Sequence, residues 1–234
     1  MIVPVTLKCE ECSNNFCVIN KYCHQEWRTL LTQYRQDFEY QAGEMIFREG
    51  EQVSGIYIVH DGKVKILANH GSNKSSIIRL ASNNDILGHR GFGGNEIYPI
   101  SAVALTRTRL TFITKEKFDR LLLMNNELCY WFMNFYAKEL NKSENRTCKL
   151  IHLPVLNRLA MALIMVIDAF GYSEEEPGLL AYTPTRTELA DLASTTYESL
   201  IRSVKEMERN QWIKIRKKEL IITDEKAIYE LVHC

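Results

Sequence analysis

The 234-residue chain has no net charge, 29 Lys and Arg standing against 29 Asp and Glu. That balance excludes a protein that coats nucleic acid through bulk charge, although a local excess can still serve. No apolar run approaches the roughly 18 residues a membrane span needs, and the first residues lack the basic-then-apolar order of a secretory leader. A cytoplasmic protein with no membrane partner is expected. A P-loop, a nucleophile elbow and a helical His-Glu-x-x-His are all missing, and the six histidines are dispersed, so no enzyme is expected. An odd count of seven cysteines argues against a paired disulfide framework and for thiols, metal ligation or redox chemistry. The 46% hydrophobic and 25% charged content is that of an ordinary globular protein. Its length allows one large or two smaller domains, and two fit the changes of pattern along it.

Residues 183–209, TPTRTELADLASTTYESLIRSVKEMER, read as two short helices joined by a tight turn. Thr185 with Glu188 is a capping box ahead of Leu189, Leu192 and Ala193, and Thr195 with Glu198 repeats the signature ten residues later. Leu200, Val204 and Met207 recur at helical spacing as the buried stripe of the second helix, which turns Tyr197, Glu198, Ile201, Arg202, Lys205 and Arg209 outward. A carboxylate in the first turn can accept from a cytosine amino group, and an arginine one turn later can fork onto guanine O6 and N7. The alternative is an intrahelical Glu198–Arg202 pair on an ordinary solvated helix. Between 183 and 218, eight Lys or Arg face five Asp or Glu, a mild local excess in the right place.

Ahead of this stretch, Cys9, Cys12, Cys17 and Cys23 fall within fifteen residues, a spacing that could hold zinc or an iron–sulfur cluster or could be a set of free thiols. From 38 to 117, short alternating runs (56–59, 63–67, 76–80 and 101–113) read as strands, with Gly43, Gly50, Gly55, Gly62, Gly71 and Gly88 between them. Such runs indicate an antiparallel roll or barrel around a ligand-sized interior. Residues 115–149 return to one long helix in which Leu121, Leu128 and Phe135 lie seven apart, as do Met124 and Trp131, with Phe132 and Leu140 nearby. Its partner is either the same helix of a second subunit or its own roll. Pro154 opens a further helix whose buried face is Leu156, Leu159, Ala160, Leu163, Ile167 and Phe170, and Gly171 stops it. Residues 212–215 and 220–222 then form two short strands around Arg216-Lys217-Lys218-Glu219, a wing with a basic tip for phosphate.

Roll, long helix and winged helix together resemble the bacterial family of the cyclic-AMP receptor protein and the fumarate–nitrate reductase regulator (Crp/Fnr). AGEMIFREGEQVSGIYIVHDGKVKI (42–66) looks like the family's glycine-punctuated roll. NDILG (84–88) is similar to its GDxxG turn, and RTELADLASTTYESLIR (186–202) to its DNA-binding signature. The resemblance implies an α+β fold: an N-terminal antiparallel β-roll, which is a cyclic-nucleotide-binding-like jelly roll, then a long dimerisation helix and a C-terminal winged helix-turn-helix. The expected segments are 1–25 with the cysteines, 26–117 as the sensor roll, 118–150 as the dimerisation helix and 151–234 as the DNA-binding domain.

The implied protein is a homodimeric transcription regulator that reads a near-palindromic operator in double-stranded DNA, with RNA polymerase as a further partner. DNA contacts are expected from Thr187, Thr196, Tyr197, Glu198, Ile201, Arg202, Lys205 and Lys217, and dimer contacts from Leu121, Leu128, Trp131, Phe132 and Phe135. The effector pocket falls at His89, Arg90, Ile100 and Ser101. Departures from the family bear on the signal. His89 stands where nucleotide-binding members place a glutamate for the ribose, and Ile100 where they place an arginine for the phosphate, so cyclic-AMP binding is not carried over. Cys9, Cys12 and Cys17 are similar to the amino-terminal ligands of the oxygen-sensing members, but Thr111 stands at the late-strand ligand position, with Cys23 as a candidate substitute. The turn glycine is replaced by Ser194, and Ile201 stands where the oxygen sensors carry serine. The alternatives are a metal or iron–sulfur redox-sensing version of the regulator, and a cyclic-nucleotide-binding module of the kind attached to kinases and channels, which would lack a DNA reader.

Overall fold

In a computed structural model that describes residues 2–3, 9, 14–69, 71 and 75–232, the chain divides into two compact units. The first comprises Met1–Ala68 and Ala81–Lys142, the second Asn69–Leu80 and Ser143–Cys234.

After a short strand β1 (Ile2–Val3), the amino-terminal segment forms two helices, α1 (Val18–Tyr22) and α2 (Gln25–Tyr34). The strands that follow are β2 (Gln36–Tyr40), β3 (Met45–Phe47), β4 (Gly55–Asp61), β5 (Val64–Asn69), β6 (Ser75–Ala81), β7 (Ile86–Leu87), β8 (Ser101–Ala104) and β9 (Thr108–Thr114), with a 3-10 turn at His89–Gly91. They lie in two sheets, ordered β1-β2-β9-β4-β7 and β3-β8-β5-β6. The run expected as strand over 101–113 is thus two strands in different sheets, broken at 105–107.

Alternation along β4 and β9 explains why both are buried on two faces. Ile56, Ile58 and Ile113 point to a cluster with Val18, Ile19 and Leu31 of α1 and α2 and with Phe118, Leu121, Leu128 and Phe132 farther on. Tyr57 and Phe112, one step out of phase, meet as tilted rings at 4.8 Å inside the roll, where Phe47 stacks on Tyr57 at 5.6 Å and on Tyr98 at 4.4 Å. Period-two alternation needs such covering on each side. Gly55 has no positive φ; it is glycine because a Cβ there would collide with the carbonyl oxygen of Ile113 on the paired strand. In the NDILG turn, Asn84 takes φ +72°, which asparagine tolerates better than other non-glycine residues, and Gly88 takes +80°.

The single helix expected over 115–149 is two, α3 (Lys115–Met124) and α4 (Asn126–His152). Asn125 makes the break. Its Nδ2 donates to the Leu121 carbonyl at 2.8 Å, and its Oδ1 accepts from the His24 amide at 3.0 Å, so the residue is spent on a tertiary contact. The seven-residue spacing crosses this break. Leu121, Leu128 and Phe132, expected at a dimer interface, are instead 1%, 0% and 2% exposed in the core of their own unit. Burying one such side chain contributes roughly 1.5–3 kcal/mol, and the faces of β4 and β9 require the cover. Trp131 and Phe135 are half-buried against the same cluster, whereas Tyr130, Met133 and Leu140 remain 65%, 59% and 59% exposed.

The second unit holds α5 (Val155–Phe170), α6 (Arg186–Leu192), α7 (Tyr197–Arg209), the hairpin β10 (Ile213–Arg216) and β11 (Glu219–Ile222), and α8 (Glu225–Glu230). Pro154 is the N-cap of α5 and Gly171, at φ +69°, its C-cap. Helix α5 packs on α6, α7 and α8 through Leu159, Ala160, Leu163 and Val166, all fully buried.

Candidate nucleic-acid interface

Helix α6 begins at Thr185 with a complete capping box: the Glu188 amide donates to Thr185 Oγ1 at 3.2 Å, and the Thr185 amide donates to Glu188 Oε2 at 3.0 Å. Helix α7 starts one residue later than its sequence signature indicates. Ser194 takes φ +48° in the turn, at a cost of about 1 kcal/mol relative to glycine, and Thr195 is used up in closing it through its amide to the Ala190 carbonyl. The cap is therefore Thr196, whose Oγ1 accepts from the Ser199 amide at 3.3 Å, and Glu198 takes no part in it. Arg158 of α5 fastens the turn by donating from Nη1 to the Ser194 carbonyl at 2.8 Å.

Leu200, Val204 and Met207 form the inward stripe of α7, at 0%, 4% and 0% exposure. Tyr197, Glu198, Arg202, Lys205 and Arg209 are exposed, and Ile201 is half-buried. Among the described residues no ion pair joins Glu198 to Arg202. Arg202 Nη2 instead donates to Ser199 Oγ at 3.2 Å, and Ser199 Oγ accepts from Thr196 Oγ1 at 3.1 Å. Ser199 is absent from the residues expected at the interface. Its position three before Arg202, and at the third residue after the cap, is the signal that marks it. Thr187 is exposed on α6 and Thr196 on the turn.

The hairpin pairs Ile213↔Ile222 through Arg216↔Glu219. Its tip is narrower than the sequence implies. Arg216 Nη2 meets Glu176 at 2.6 Å and its Nε meets Glu219 at 2.8 Å, and these carboxylates push its pKa up. Lys217, at φ +57°, and Lys218 form the turn and stay exposed.

Of the residues expected at an effector pocket, His89 and Arg90 lie in the 3-10 turn, and Ile100 and Ser101 at the entry to β8. His89 is 2% exposed, its ring 4.9 Å from Phe135 and 5.8 Å from Tyr136, whose hydroxyl donates to the His89 carbonyl at 2.8 Å. Arg90 approaches Glu139 of α4 at 3.8 Å. Ile100 is buried, and Ser101 Oγ accepts from the Glu49 amide at 2.9 Å. An open cavity of about 430 Å³ lies elsewhere, between Tyr22 and the α4 side chains Glu127, Tyr130, Trp131, Asn134, Phe135 and Lys138.

Cys9, Cys17 and Cys23 border one apolar cluster, while Cys12 lies outside the described residues. Burial pushes the Cys23 thiol up to about 12, against the opposing pull of Arg28, and a thiolate ligand there is correspondingly disfavoured. Cys9 Sγ accepts from Arg35 Nη1 at 3.0 Å. Thr111, at the late-strand position, donates to Asp37 at 2.5 Å and meets His60 Nε2 at 2.5 Å. Among the described residues no group of three His, Cys, Asp or Glu could hold a metal ion. No helix among them is long and apolar enough to cross a membrane.

The geometry defines a class: a β-roll of the cyclic-nucleotide-binding kind joined in one chain to a winged helix-turn-helix. The family model described as a cyclic nucleotide-binding domain matches residues 37–125, and that described as a Crp-like helix-turn-helix domain matches 157–231. A CRP-like cAMP-activated global transcriptional regulator of Mycobacterium tuberculosis is 22% identical over 198 residues, covering 85% of this chain and 88% of that protein. The anaerobic regulatory protein of Bacillus subtilis is 25% identical over 183 residues, covering 78% and 74%. Among solved structures, FixK2 from Bradyrhizobium japonicum aligns with a TM-score of 0.74 at 16% identity over 84% of this chain and 96% of its own. The chain belongs to the Crp/Fnr family of DNA-binding transcription regulators, a family of regulators and not of enzymes.

Proposed function

We propose that the protein is a homodimeric, sequence-specific regulator whose α7 helices enter successive major grooves of a near-palindromic operator. The observation that supports this reading most is the face of α7, where Glu198 and Arg202 stand exposed and unpaired with each other beside Lys205. The two readers of a two-fold dimer meet half-sites about 34 Å apart, and phosphate contacts from Lys217 and Lys218 fix their register. The two-fold contact is made by the stripe Tyr130, Met133 and Leu140 of α4, which its own unit leaves uncovered. RNA polymerase is the partner that a bound dimer meets at a promoter. Selection from random duplexes is expected to return inverted repeats; single, unrepeated half-sites would refute the dimer.

The roll responds to neither cyclic AMP nor cyclic GMP. Tyr57, Tyr98 and Phe47 stack within it, His89 has its Nδ1 committed to the Ile86 carbonyl at 3.0 Å and Ile100 is apolar, so neither brings the fixed positive charge that a buried cyclic phosphate needs. A ligand at a hundredfold over its dissociation constant adds about 2.7 kcal/mol, readily seen as a rise in melting temperature. No such rise is expected with either nucleotide, and a clear one would overturn this account of the roll.

A further inference from the structure

The reading face of α7 is not uniformly polar. Tyr197 is 52% exposed and makes no ring contact among the described residues, and Ile201, half-buried, stands one turn later on the same side. Side chains at i and i+4 are surface neighbours, so the two form one small apolar patch flanked by Glu198 and Arg202. A base edge in the major groove offers one apolar group, the C5-methyl of thymine. Arg202, Lys205 and Arg209 on the helix and Lys217 and Lys218 on the hairpin are exposed in the same unit and can meet an anionic surface.

We infer that Tyr197 and Ile201 are specificity-determining residues that read thymine methyl groups next to the base pair read by Glu198 and Arg202. This inference rests on the proposed function and adds the base to which the reader is tuned. Ser199 lies between them on the helix and engages Thr196 and Arg202, so the polar contacts of this turn are already organised without either apolar side chain. The methyl contact is therefore additive to the polar readout.

The test uses the full chain and the duplex it enriches from random sequence, resynthesised with each thymine of both half-sites replaced in turn by deoxyuridine, which removes only the methyl group. At one or two adjacent positions per half-site, uracil is expected to weaken binding about three- to fivefold, the worth of one buried methyl. Tyr197→Ala and Ile201→Ala should each abolish the uracil effect at one position, and Tyr197→Phe should retain it, since the ring and not the hydroxyl makes the contact. Tyr197 is exposed and Ile201 half-buried, and unchanged melting temperatures keep the comparison free of folding effects. A uracil scan flat at every thymine overturns the inference, as does one whose sensitive positions persist in both alanine variants or vanish in Tyr197→Phe. Failure to enrich any duplex overturns the proposed function instead, so the two failures are distinguishable.

Discussion

Arg202→Ala is expected to lower operator affinity by about 1–3 kcal/mol per half-site, with the loss confined to one base pair, where discrimination disappears. Arg202 is exposed, and its guanidinium is held by Ser199 Oγ at 3.2 Å, so it is oriented before DNA arrives and little rotamer freedom is lost on binding. Lys217 is different in kind. It sits exposed at the hairpin tip as a point charge with no carboxylate partner among the described residues, while neighbouring Arg216 is held by Glu176 and Glu219. Lys217→Ala should weaken specific and random DNA alike and reduce the salt slope by about one. Binding isotherms for both variants at several salt concentrations, on the operator and on single-base changes of it, separate the two roles. Equal loss on specific and random duplexes for Arg202→Ala would reduce it to a phosphate contact.

The reader was legible in the sequence because its signals are local. A capping box spans four residues, and the stripe Leu200, Val204, Met207 spans eight, so neither needs a distant partner. The shift of the second cap from Thr195 to Thr196 was not legible, because it follows from the left-handed turn at Ser194, where sequence offers serine in place of glycine. The long helix failed for the opposite reason. Asn125 breaks it through the amide of His24, a contact between segments far apart in the chain, and no pattern within 115–149 carries that information. Periodicity likewise finds an apolar face without naming what covers it. Leu121, Leu128 and Phe132 cover Ile56 and Ile58, leaving Tyr130, Met133 and Leu140, which are out of phase with the seven-residue repeat, as the open stripe. For the cysteines, spacing measures reach along the chain and says nothing of burial, which pushes the Cys23 thiol up.

Arg146→Met is expected to be among the most destabilising single changes in the second unit, at about 2–4 kcal/mol. Arg146, in the portion of α4 that belongs to that unit, is held wholly by backbone oxygens: Nη1 donates to the Ile78 carbonyl, and Nη2 donates to the carbonyls of Ile77 and Leu192, each at 3.1 Å. Burial pulls its pKa down, a sign that the guanidinium is desolvated and depends on these acceptors. Leu192 is the last residue of α6, whose final carbonyls have no intrahelical donor, and a cation at that end also meets the negative pole of the helix. Methionine keeps much of the stem and removes every donor, leaving buried carbonyls unsatisfied at roughly 1–3 kcal/mol apiece, part of which relaxation or entering water recovers. Lysine, with one point charge in place of a planar fork, should fall between the two. Because Leu192 and Ser194 bound the turn, the loss should appear first as faster amide exchange over 186–196 and then as a lower urea midpoint at an unchanged slope. An unfolding free energy within about 0.5 kcal/mol of the parent would mean that water replaces the guanidinium at little cost and that Arg158, bonded to the Ser194 carbonyl at 2.8 Å, holds the turn alone.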